Sequence, residues 1–297
     1  MQSVDAGAWG PVYPNCSYRV STTSSKVTWL IGADWRPADR VMVYGSVSTG
    51  YRAGGFTLQG SSGVQPSLAA LDAAFTPFAP ETVTNYEAGF KSDLLGRRLR
   101  INGAVYYQDY RNIQKQIRDF VNGQNISLIR NAAKATLYGG ELEITAAPTE
   151  RFILTGGVAY LHARYDEYLA RDASGTLLDL SDQAFSAPKW TFNLGASYTV
   201  PLSVGDLRAS ANYAWTDTVI FQPGTPDERS VTQPAYGLLD ARLSWHIDQA
   251  GLDIAVYGKN LTNKRYLNAA SNGQSAGYNI GFPGNPRVFG IQARKTF

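Results

Sequence analysis

The chain has 297 residues and a formal net charge of +3, and only 17% of its residues are charged. It contains no run of about 18 apolar residues, which excludes transmembrane helices but not a β-barrel, because barrel strands are apolar on one face only. The small, evenly spread charge gives no reason to expect a nucleic-acid partner. The single cysteine, Cys16, can form no internal disulfide and has no ligands at metal-binding spacing, so neither a disulfide nor a metal or other cofactor is predicted.

Apolar and polar residues alternate along eleven segments of the chain, which predicts eleven β-strands. Residues 1–25, rich in Gly, Pro, Ser and Thr, are predicted to be irregular. The predicted strands are 26–35, 41–51, 84–93, 99–110, 137–146, 152–160, 189–200, 207–216, 239–248, 252–259 and 287–297.

The hairpin at 189–217 shows the alternation most clearly. Apolar side chains occupy every second position of both arms, and polar or small side chains fill the positions between them. Each arm has about ten residues, the length that a tilted strand needs to cross a hydrocarbon core. Aromatic residues stand at the ends of the apolar stripes, where membrane barrels place their interfacial girdles. The residues expected in such a girdle are Trp35, Trp190, Tyr198 and Trp215.

The connections between the predicted strands are short after odd-numbered strands and long after even-numbered ones. The long ones include 112–133 and 166–188. A soluble sandwich does not require this alternation, whereas outer-membrane barrels have short periplasmic turns and long outer loops. The apolar stripes of strands one, seven, eight and nine carry no charge, which fits lipid exposure because Lys or Arg at the bilayer midplane costs about 2–4 kcal/mol. The pattern therefore predicts an all-β, antiparallel transmembrane barrel in a bacterial outer membrane.

Eleven strands alone would leave two sheet edges in lipid, where unpaired backbone groups cost several kcal/mol each. The first residues also contain neither the basic nor the apolar region of a secretory signal. We therefore expect 1–25 to be the remnant of an extracellular loop and 26–297 to be the C-terminal part of a longer barrel.

Several segments, in this order, resemble the C-terminal half of TonB-dependent outer-membrane receptors. They are YRAGGF at 51–56, PETVTNYEAGFK at 80–91, GKNLTNKRYL at 258–267 and the aromatic C terminus after Pro286. The similarity spans about residues 26–297. It implies a barrel of about 22 strands, of which about eleven are present here, filled by an N-terminal plug that has no counterpart in these residues.

The resemblance also implies a function, namely TonB-energised uptake of a scarce ligand such as an iron–siderophore complex. The implied partners are outer-membrane lipid, the TonB inner-membrane energising complex acting through the missing plug, the barrel-assembly machinery, and a small-molecule ligand that the sequence does not identify. Phe297 resembles a barrel-assembly signal, although Lys295 stands where an aromatic or apolar residue is usual.

The ligand-contacting residues suggested by the sequence are Tyr51, Arg52 and Phe56, where the second strand leaves for its long loop. The alternative is structural: Gly54 and Gly55 shape the strand exit, and Phe56 packs within the loop.

Two pairs of residues raise the question of an enzyme. Glu141 and Glu143 share one strand face, as an acid–base pair would, and Ser244 and His246 share another, as in a lipase-like site. Polar side chains facing a wet lumen explain both pairs better, so no catalytic residue is predicted. Two alternatives to a TonB-dependent receptor remain open, a small phospholipase-like barrel enzyme and a passive porin.

Overall fold

The computed structural model describes residues 3–5, 17–19, 21–57, 75–121, 124–171, 176–224, 228–273 and 277–296. No helix in this part of the chain is long and apolar enough to cross a membrane. Three short 3₁₀ turns lie at Leu95–Arg97, Glu228–Val231 and Asp248–Ala250. The strands are β1 (Ser3–Asp5), β2 (Ser17–Arg19), β3 (Leu30–Ala38), β4 (Val41–Arg52), β5 (Glu81–Leu94), β6 (Leu99–Val121), β7 (Gln124–Thr149), β8 (Phe152–Arg171), β9 (Leu177–Asp179), β10 (Trp190–Leu202), β11 (Gly205–Thr216), β12 (Val219–Ile220), β13 (Thr232–Gln233), β14 (Tyr236–Ile247), β15 (Leu252–Lys259), β16 (Leu267–Gly273), β17 (Tyr278–Pro283) and β18 (Val288–Lys295).

Twelve of these strands form one antiparallel sheet. Its order is β3-β4-β5-β6-β7-β8-β10-β11-β14-β15-β18, with the short β9 added beside β8. Each main strand pairs with the main strands before and after it in sequence, so the sheet is an up-and-down meander. The eleven predicted strands each overlap one of its main members, and the predicted antiparallel β class is confirmed.

The pairing register gives the sheet one apolar and one polar face, because directly paired residues project to the same side. Leu142 pairs with Val158, Val158 with Phe192, and Phe192 with Trp215. We call the side that bears these residues the apolar face and the other side the polar face. Large side chains exposed on the apolar face include Trp35, Val43, Phe90, Val105, Leu142, Val158, Phe192 and Leu194.

The sheet also has two unlike rims. The short-turn rim contains the connections at 39–40, 95–98, 150–151, 203–204 and 248–251, and the long-loop rim contains all the longer ones. One row of paired residues joins Trp35, near the short-turn rim, to Trp215, at the long-loop rim. Because directly paired residues start near one rim and end at the other, neighbouring strands are shifted along one another, which is the tilt and stagger that a barrel requires. The row is Trp35, Val43, Phe90, Gly103, Leu142, Val158, Phe192, Trp215.

The prediction of irregular loops at 112–133 and 166–188 was wrong in large part. β6, β7 and β8 continue past the predicted strand ends and reach 23, 26 and 20 residues. About ten residues suffice to cross the bilayer, so these strands project beyond it. The alternation is obscured there because the β6–β7 register shifts on both sides of Ile113, and Asn112 has a positive φ of 56°. We call this projecting part of β6–β8 the extension.

Smaller differences occur elsewhere. The first predicted strand, 26–35, is shifted to Leu30–Ala38, and the last predicted long loop contains the β16–β17 hairpin. Phe297 and most of residues 1–25 lie outside the described residues.

Candidate functional site on the polar face and the long-loop rim

The polar face carries charged side chains of both signs. Near β5 and β7 it carries Glu87, Glu141 and Glu143, and the Tyr44 hydroxyl donates a 2.8 Å hydrogen bond to Glu87. Across the middle strands, β8 and β10, the facing side chains are small or uncharged, as in the pair Gly157 and Asn193. The glutamates near β5 and β7 would favour contact with a cationic or hydrogen-bond-donating surface.

The other half of the polar face, from β11 to β18, carries four basic side chains together with Asp206, Asp240 and Asp253. Arg208 donates to the Ser197 hydroxyl at 3.2 Å, and Arg242, Lys259 and Arg294 stand on the same side. A recess of about 550 Å³ opens here. Its polar lining residues include Ser210, Asn212, Asp240, Arg242, Tyr257 and Lys259. An arrangement of this size and charge can hold an anionic or oxygen-rich group.

At the long-loop rim, the loop after β4 folds back against its own far end. Gly55 and Phe78 exchange two backbone hydrogen bonds, of 3.1 and 2.9 Å. Gly54 approaches the Phe78 carbonyl so closely that a Cβ atom would lie 2.3 Å from the oxygen, so only glycine fits. The Phe56 side chain is 8% exposed and lies edge-on to Phe75, with ring centroids 6.5 Å apart.

These contacts favour the structural explanation of the YRAGGF segment. The Phe56 side chain packs within the loop and is too buried to bind a ligand. Tyr51 and Arg52 differ from it, since both are exposed at the end of β4. Arg52 pairs in register with Glu81 of β5, on the polar side of the rim. Of the three predicted contact residues, Arg52 is therefore exposed on the polar side of the rim, whereas Tyr51, its neighbour in β4, projects to the apolar side.

Gln114, on β6 in the extension, fastens this loop. Its backbone N–H donates to Glu81 Oε2 at 2.9 Å, and its Nε2 donates to the carbonyl of Ala53 at 2.9 Å and to that of Ala79 at 3.2 Å. The Gln114 side chain is 9% exposed, so these bonds form largely away from water. The loop at 53–57 and 75–80 is therefore fixed to the extension.

Asn131, on β7, makes a second attachment next to the first. It accepts from the Ala79 N–H at 2.6 Å and donates to the carbonyls of Ala79 and Asn112, both at 2.8 Å. A third bond runs from the Ile129 N–H to the buried Thr57 hydroxyl at 2.9 Å. These hydrogen bonds attach residues 53–57 and 75–80 of the β4–β5 loop to the extension at the rim.

The extension has a small core of its own, formed by Ile113, Ala133, Ala135 and Tyr165 with partly buried neighbours. The Lys115 ammonium donates to the Tyr165 hydroxyl at 2.5 Å and lies 4.8 Å from the centre of that ring. Phe185, from the segment after β9, stacks on Tyr165 with ring centroids 4.2 Å apart, and the Lys115 ammonium lies 5.9 Å from its ring centre. Desolvation in this cluster raises the pKa of Tyr168 above its ordinary value.

The segment that carries Phe185 is itself tied down by local hydrogen bonds. Tyr168 and Leu180 bond through their backbones at 2.7 Å, and the Ser181 hydroxyl accepts from the Tyr168 N–H at 3.1 Å. The hydroxyl and then the N–H of Ser181 donate to Asp179, and these bonds hold the pKa of that carboxyl below its ordinary value.

The GKNLTNKRYL segment is built around Asn260, which is 4% exposed and has a positive φ of 50°. Its Nδ2 donates to the Lys264 carbonyl at 2.8 Å and to the Asn285 carbonyl at 3.1 Å, while its Oδ1 accepts from the Lys264 N–H at 2.8 Å. Its own N–H donates to Asp240 on β14 at 2.8 Å. This asparagine joins two loops of the long-loop rim to the sheet, a structural role that the sequence motif did not reveal.

Ser244 and His246, which share a strand face, each bond to groups other than one another. Both ring nitrogens of His246 face carboxylates, Nδ1 at 2.8 Å from Asp253 and Nε2 at 3.4 Å from Asp248. The Ser244 hydroxyl donates instead to the Arg208 carbonyl at 3.5 Å. The described residues contain no cluster of three or more His, Cys, Asp or Glu side chains suited to a metal ion.

The aromatic residues predicted for the interface all lie on the apolar face. Trp190 packs on Tyr160 with centroids 4.6 Å apart, and Trp215 stacks on Phe192 at 5.2 Å. Both tryptophans are at the long-loop rim, where the Asp217 N–H donates to the Trp190 carbonyl at 3.0 Å. Tyr198 lies toward the opposite rim, as does Trp35, which is 68% exposed. Their role as a membrane girdle stays a prediction.

An antiparallel sheet with one apolar exposed face, one charged face and strongly unequal rims is the wall of an outer-membrane barrel. The family profile described as "TonB dependent receptor-like, beta-barrel" matches residues 3–261, and the chain belongs to this family. The family consists of outer-membrane transport receptors rather than enzymes, so the predicted family and location are confirmed.

Individual relatives agree with this assignment. A probable TonB-dependent receptor of Bordetella pertussis, BfrD, is 26% identical over 265 residues, which cover 88% of this chain and 32% of the relative. The metal-pseudopaline receptor CntO of Pseudomonas aeruginosa is 24% identical over 89% of this chain and 33% of its own length. The chain therefore spans about a third of the length of these curated relatives.

Solved structures show the same fold. The ferric yersiniabactin uptake receptor FyuA of Yersinia pestis superposes with a TM-score of 0.68 at 20% identity, covering 90% of this chain and 37% of that one. The siderophore receptor PiuA of Acinetobacter baumannii gives a TM-score of 0.67 at 20% identity, covering 90% and 35%.

Proposed function

We propose that residues 26–297 form the C-terminal part of the barrel of a TonB-dependent receptor that imports a metal chelate of the siderophore kind. Residues 1–25 would then belong to an extracellular loop. The observation that carries this proposal is the family match, over residues 3–261, to a sheet whose polar face is charged and recessed. The relatives CntO, FyuA and PiuA are named as receptors for metal–pseudopaline, ferric yersiniabactin and a siderophore, which supports this ligand class.

The polar face supports the proposal through its chemistry. β3 and β18 are the end strands of the described sheet, where further strands of a barrel would pair, and the charged polar face offers a surface for a plug that would connect to TonB. At the mouth, the exposed Arg52 can contact an incoming anionic chelate by a charge-assisted hydrogen bond. Lipid would surround the apolar face, and Phe297 would act during assembly.

The test is uptake of radioactive iron, supplied with a panel of defined ferric siderophores, by cells that express the receptor containing these strands and lack their own siderophore receptors. We expect uptake with at least one chelate, abolished when TonB is deleted. Uptake that persists without TonB would indicate a porin. Lipid hydrolysis by the purified protein, lost on Ser244→Ala, would indicate an enzyme, and absence of uptake with every chelate would contradict the proposed ligand class.

A matched pair of variants then tests the mouth residues. Tyr51→Ala with Arg52→Ala should lower the affinity for the transported chelate by about tenfold or more, since the charge-assisted hydrogen bond of Arg52, worth about 1.5–3 kcal/mol, would be lost. The control is Tyr198→Ala, which changes a tyrosine on the apolar face near the short-turn rim and should leave uptake unchanged. Equal uptake by both variants would remove Tyr51 and Arg52 from the site.

A further inference from the structure

A recess of about 360 Å³ opens at the short-turn rim, between the ends of β3 to β6, and the proposed transport function does not use it. Lys91 in this recess pairs in register with Asn102, and Asn102 pairs with Glu143, so the recess lies on the polar face. Glu143 itself does not line it. The charged residues that do line it are Arg36, Asp39, Arg40, Lys91, Asp93 and Arg100. We call this cavity the basic recess.

The turn between β3 and β4 meets the β5–β6 hairpin at the basic recess. The Asp93 N–H donates to the Arg40 carbonyl at 2.9 Å, and the Asp93 carboxylate accepts two hydrogen bonds from the Arg100 guanidinium, at 2.7 and 3.3 Å. This bidentate pair matches the charges of Asp93 and Arg100 to each other. Because Asp93 is bonded to the backbone of the turn, Arg40 is held beside the same pair.

Arg36 and Lys91 reach the basic recess from the two strands that flank β4. Arg36 Nη2 lies 3.9 Å from the Met42 sulfur on β4, and Met42 pairs directly with Lys91 on β5. The Lys91 ammonium lies 6.0 Å from the centre of the Tyr44 ring. Arg36 also contacts Asp34 at 3.4 Å, in a pair whose side chains are 66% and 51% exposed. Both cations therefore stand beside Met42 on the side of the sheet that bears the recess.

The described residues offer Arg40 and Lys91 no ion pair. Within that part of the chain, no carboxylate oxygen lies within 4.0 Å of the charged group of either residue. Asp39 is the second carboxylate of the lining. With Asp93 matched by Arg100, three cations and one carboxylate remain in the lining, which leaves a net charge of +2. A recess with this charge is suited to an external anion.

We propose that the basic recess is a binding site for a small oxygen anion with at least two negative charges, such as phosphate or pyrophosphate. The guanidinium groups of Arg36 and Arg40 match pairs of anion oxygens, and the Lys91 ammonium adds a point charge. A single carboxylate would balance only half of the net charge of the lining. The recess opens on the polar face, so its ligand is water-soluble. The site lies at the opposite rim from Arg52 and is independent of the transported chelate.

The test titrates pyrophosphate into the full chain in a zwitterionic detergent. The chain has two methionines, and Met42 lines the basic recess, so the NMR signal of its ¹³C-labelled methyl group reports binding locally. Since each charge-assisted contact is worth about tenfold in affinity, Arg40→Gln with Lys91→Gln should bind about 100-fold more weakly. The control, Arg151→Gln with Arg208→Gln, removes two exposed cations outside the recess and should bind within about twofold of the parent, because distant charges are screened.

A second pair of variants adds a negative charge. Asn102→Asp places a carboxylate in the basic recess, opposite Lys91, and should weaken pyrophosphate binding about tenfold through like-charge repulsion. Gln108→Glu adds the same charge to the same strand and face, outside the recess, and should bind within about twofold of the parent.

Three results would each overturn the proposal. In the first, the Arg40→Gln, Lys91→Gln variant or Asn102→Asp binds pyrophosphate as tightly as its control does, which would place the site elsewhere. In the second, acetate moves the Met42 signal with the same affinity as pyrophosphate, which would show that the recess does not select a multiply charged anion. In the third, the Met42 signal does not move at all.

Discussion

The membrane-crossing part of the sheet and the extension of β6–β8 are built from the same strands, but they place their apolar residues on opposite faces. In the crossing part, Leu142, Val158 and Phe192 are exposed on the apolar face, and the opposite face is charged. In the extension, Tyr165 and its neighbours Ile113 and Ala135 are buried together on the side that continues the polar face.

The difference follows from the solvent around each part. In a bilayer, apolar side chains are stable in contact with hydrocarbon, so the crossing part needs no packed core. Few of its described large side chains are buried. Beyond the bilayer both faces meet water, and the hydrophobic effect then gathers apolar side chains into a core. The extension is stabilised like a soluble domain, whereas the crossing part is stabilised by strand pairing and lipid.

The largest expected effect is in the extension. Tyr165→Ala should cost about 3–5 kcal/mol there, because it removes a buried ring that contacts Phe185 and Lys115. The amides of the extension should lose hydrogen-exchange protection, while those of the crossing part keep theirs. The control, Tyr138→Ala, changes a tyrosine of the apolar face and should cost about 1 kcal/mol or less. Equal loss of protection in both parts would mean that the extension has no separate core.

A charge on the apolar face should have the next largest effect. Leu194, 59% exposed near the middle of β10, faces hydrocarbon, so Leu194→Arg should destabilise the barrel by about 2–4 kcal/mol. The matched change Asn193→Arg, one residue earlier, puts the same charge on the polar face and should be close to neutral. The measurement is urea unfolding of vesicle-inserted protein, and similar losses for both variants would contradict the assignment of the faces.

The attachment between the loop and the extension should show a smaller effect. Gln114→Ala leaves the carbonyl of Ala53 without its side-chain donor, removes one of the two donors to the carbonyl of Ala79, and should cost about 1–3 kcal/mol. We expect faster proteolysis of the β4–β5 loop in this variant, with unchanged heat-modifiability of the barrel. The control Gln108→Ala removes a glutamine from the crossing part of β6. An identical proteolysis rate for both would show that Gln114 does not fasten the loop.

Local periodicity was sufficient to predict the crossing part. Apolar side chains recur at every second residue wherever a strand has lipid on one side, so the positions of strands such as β10, β11 and β15 were predicted to within a few residues. The unequal connections and the segments at 51–56, 80–91 and 258–267 also predicted the family, which is confirmed over residues 3–261.

Periodicity was not sufficient for the extension and the rim. Their strands contain register shifts near Ile113 and face water on both sides, so the alternation that marks a lipid-facing strand is lost. Gln114 bonds to Ala53, and Lys115 to Tyr165, over separations of 61 and 50 residues.

By itself, the sequence predicted which residues lie on the apolar face of the sheet, because that choice depends only on each side chain and its immediate neighbours. The tertiary structure alone decided that Phe56 is buried while Tyr51 and Arg52 remain exposed, and that Asn260 bonds to the carbonyls of Lys264 and Asn285 in two different loops. Such contacts join segments that are distant in sequence, and they form only when the register of the whole sheet brings those segments together.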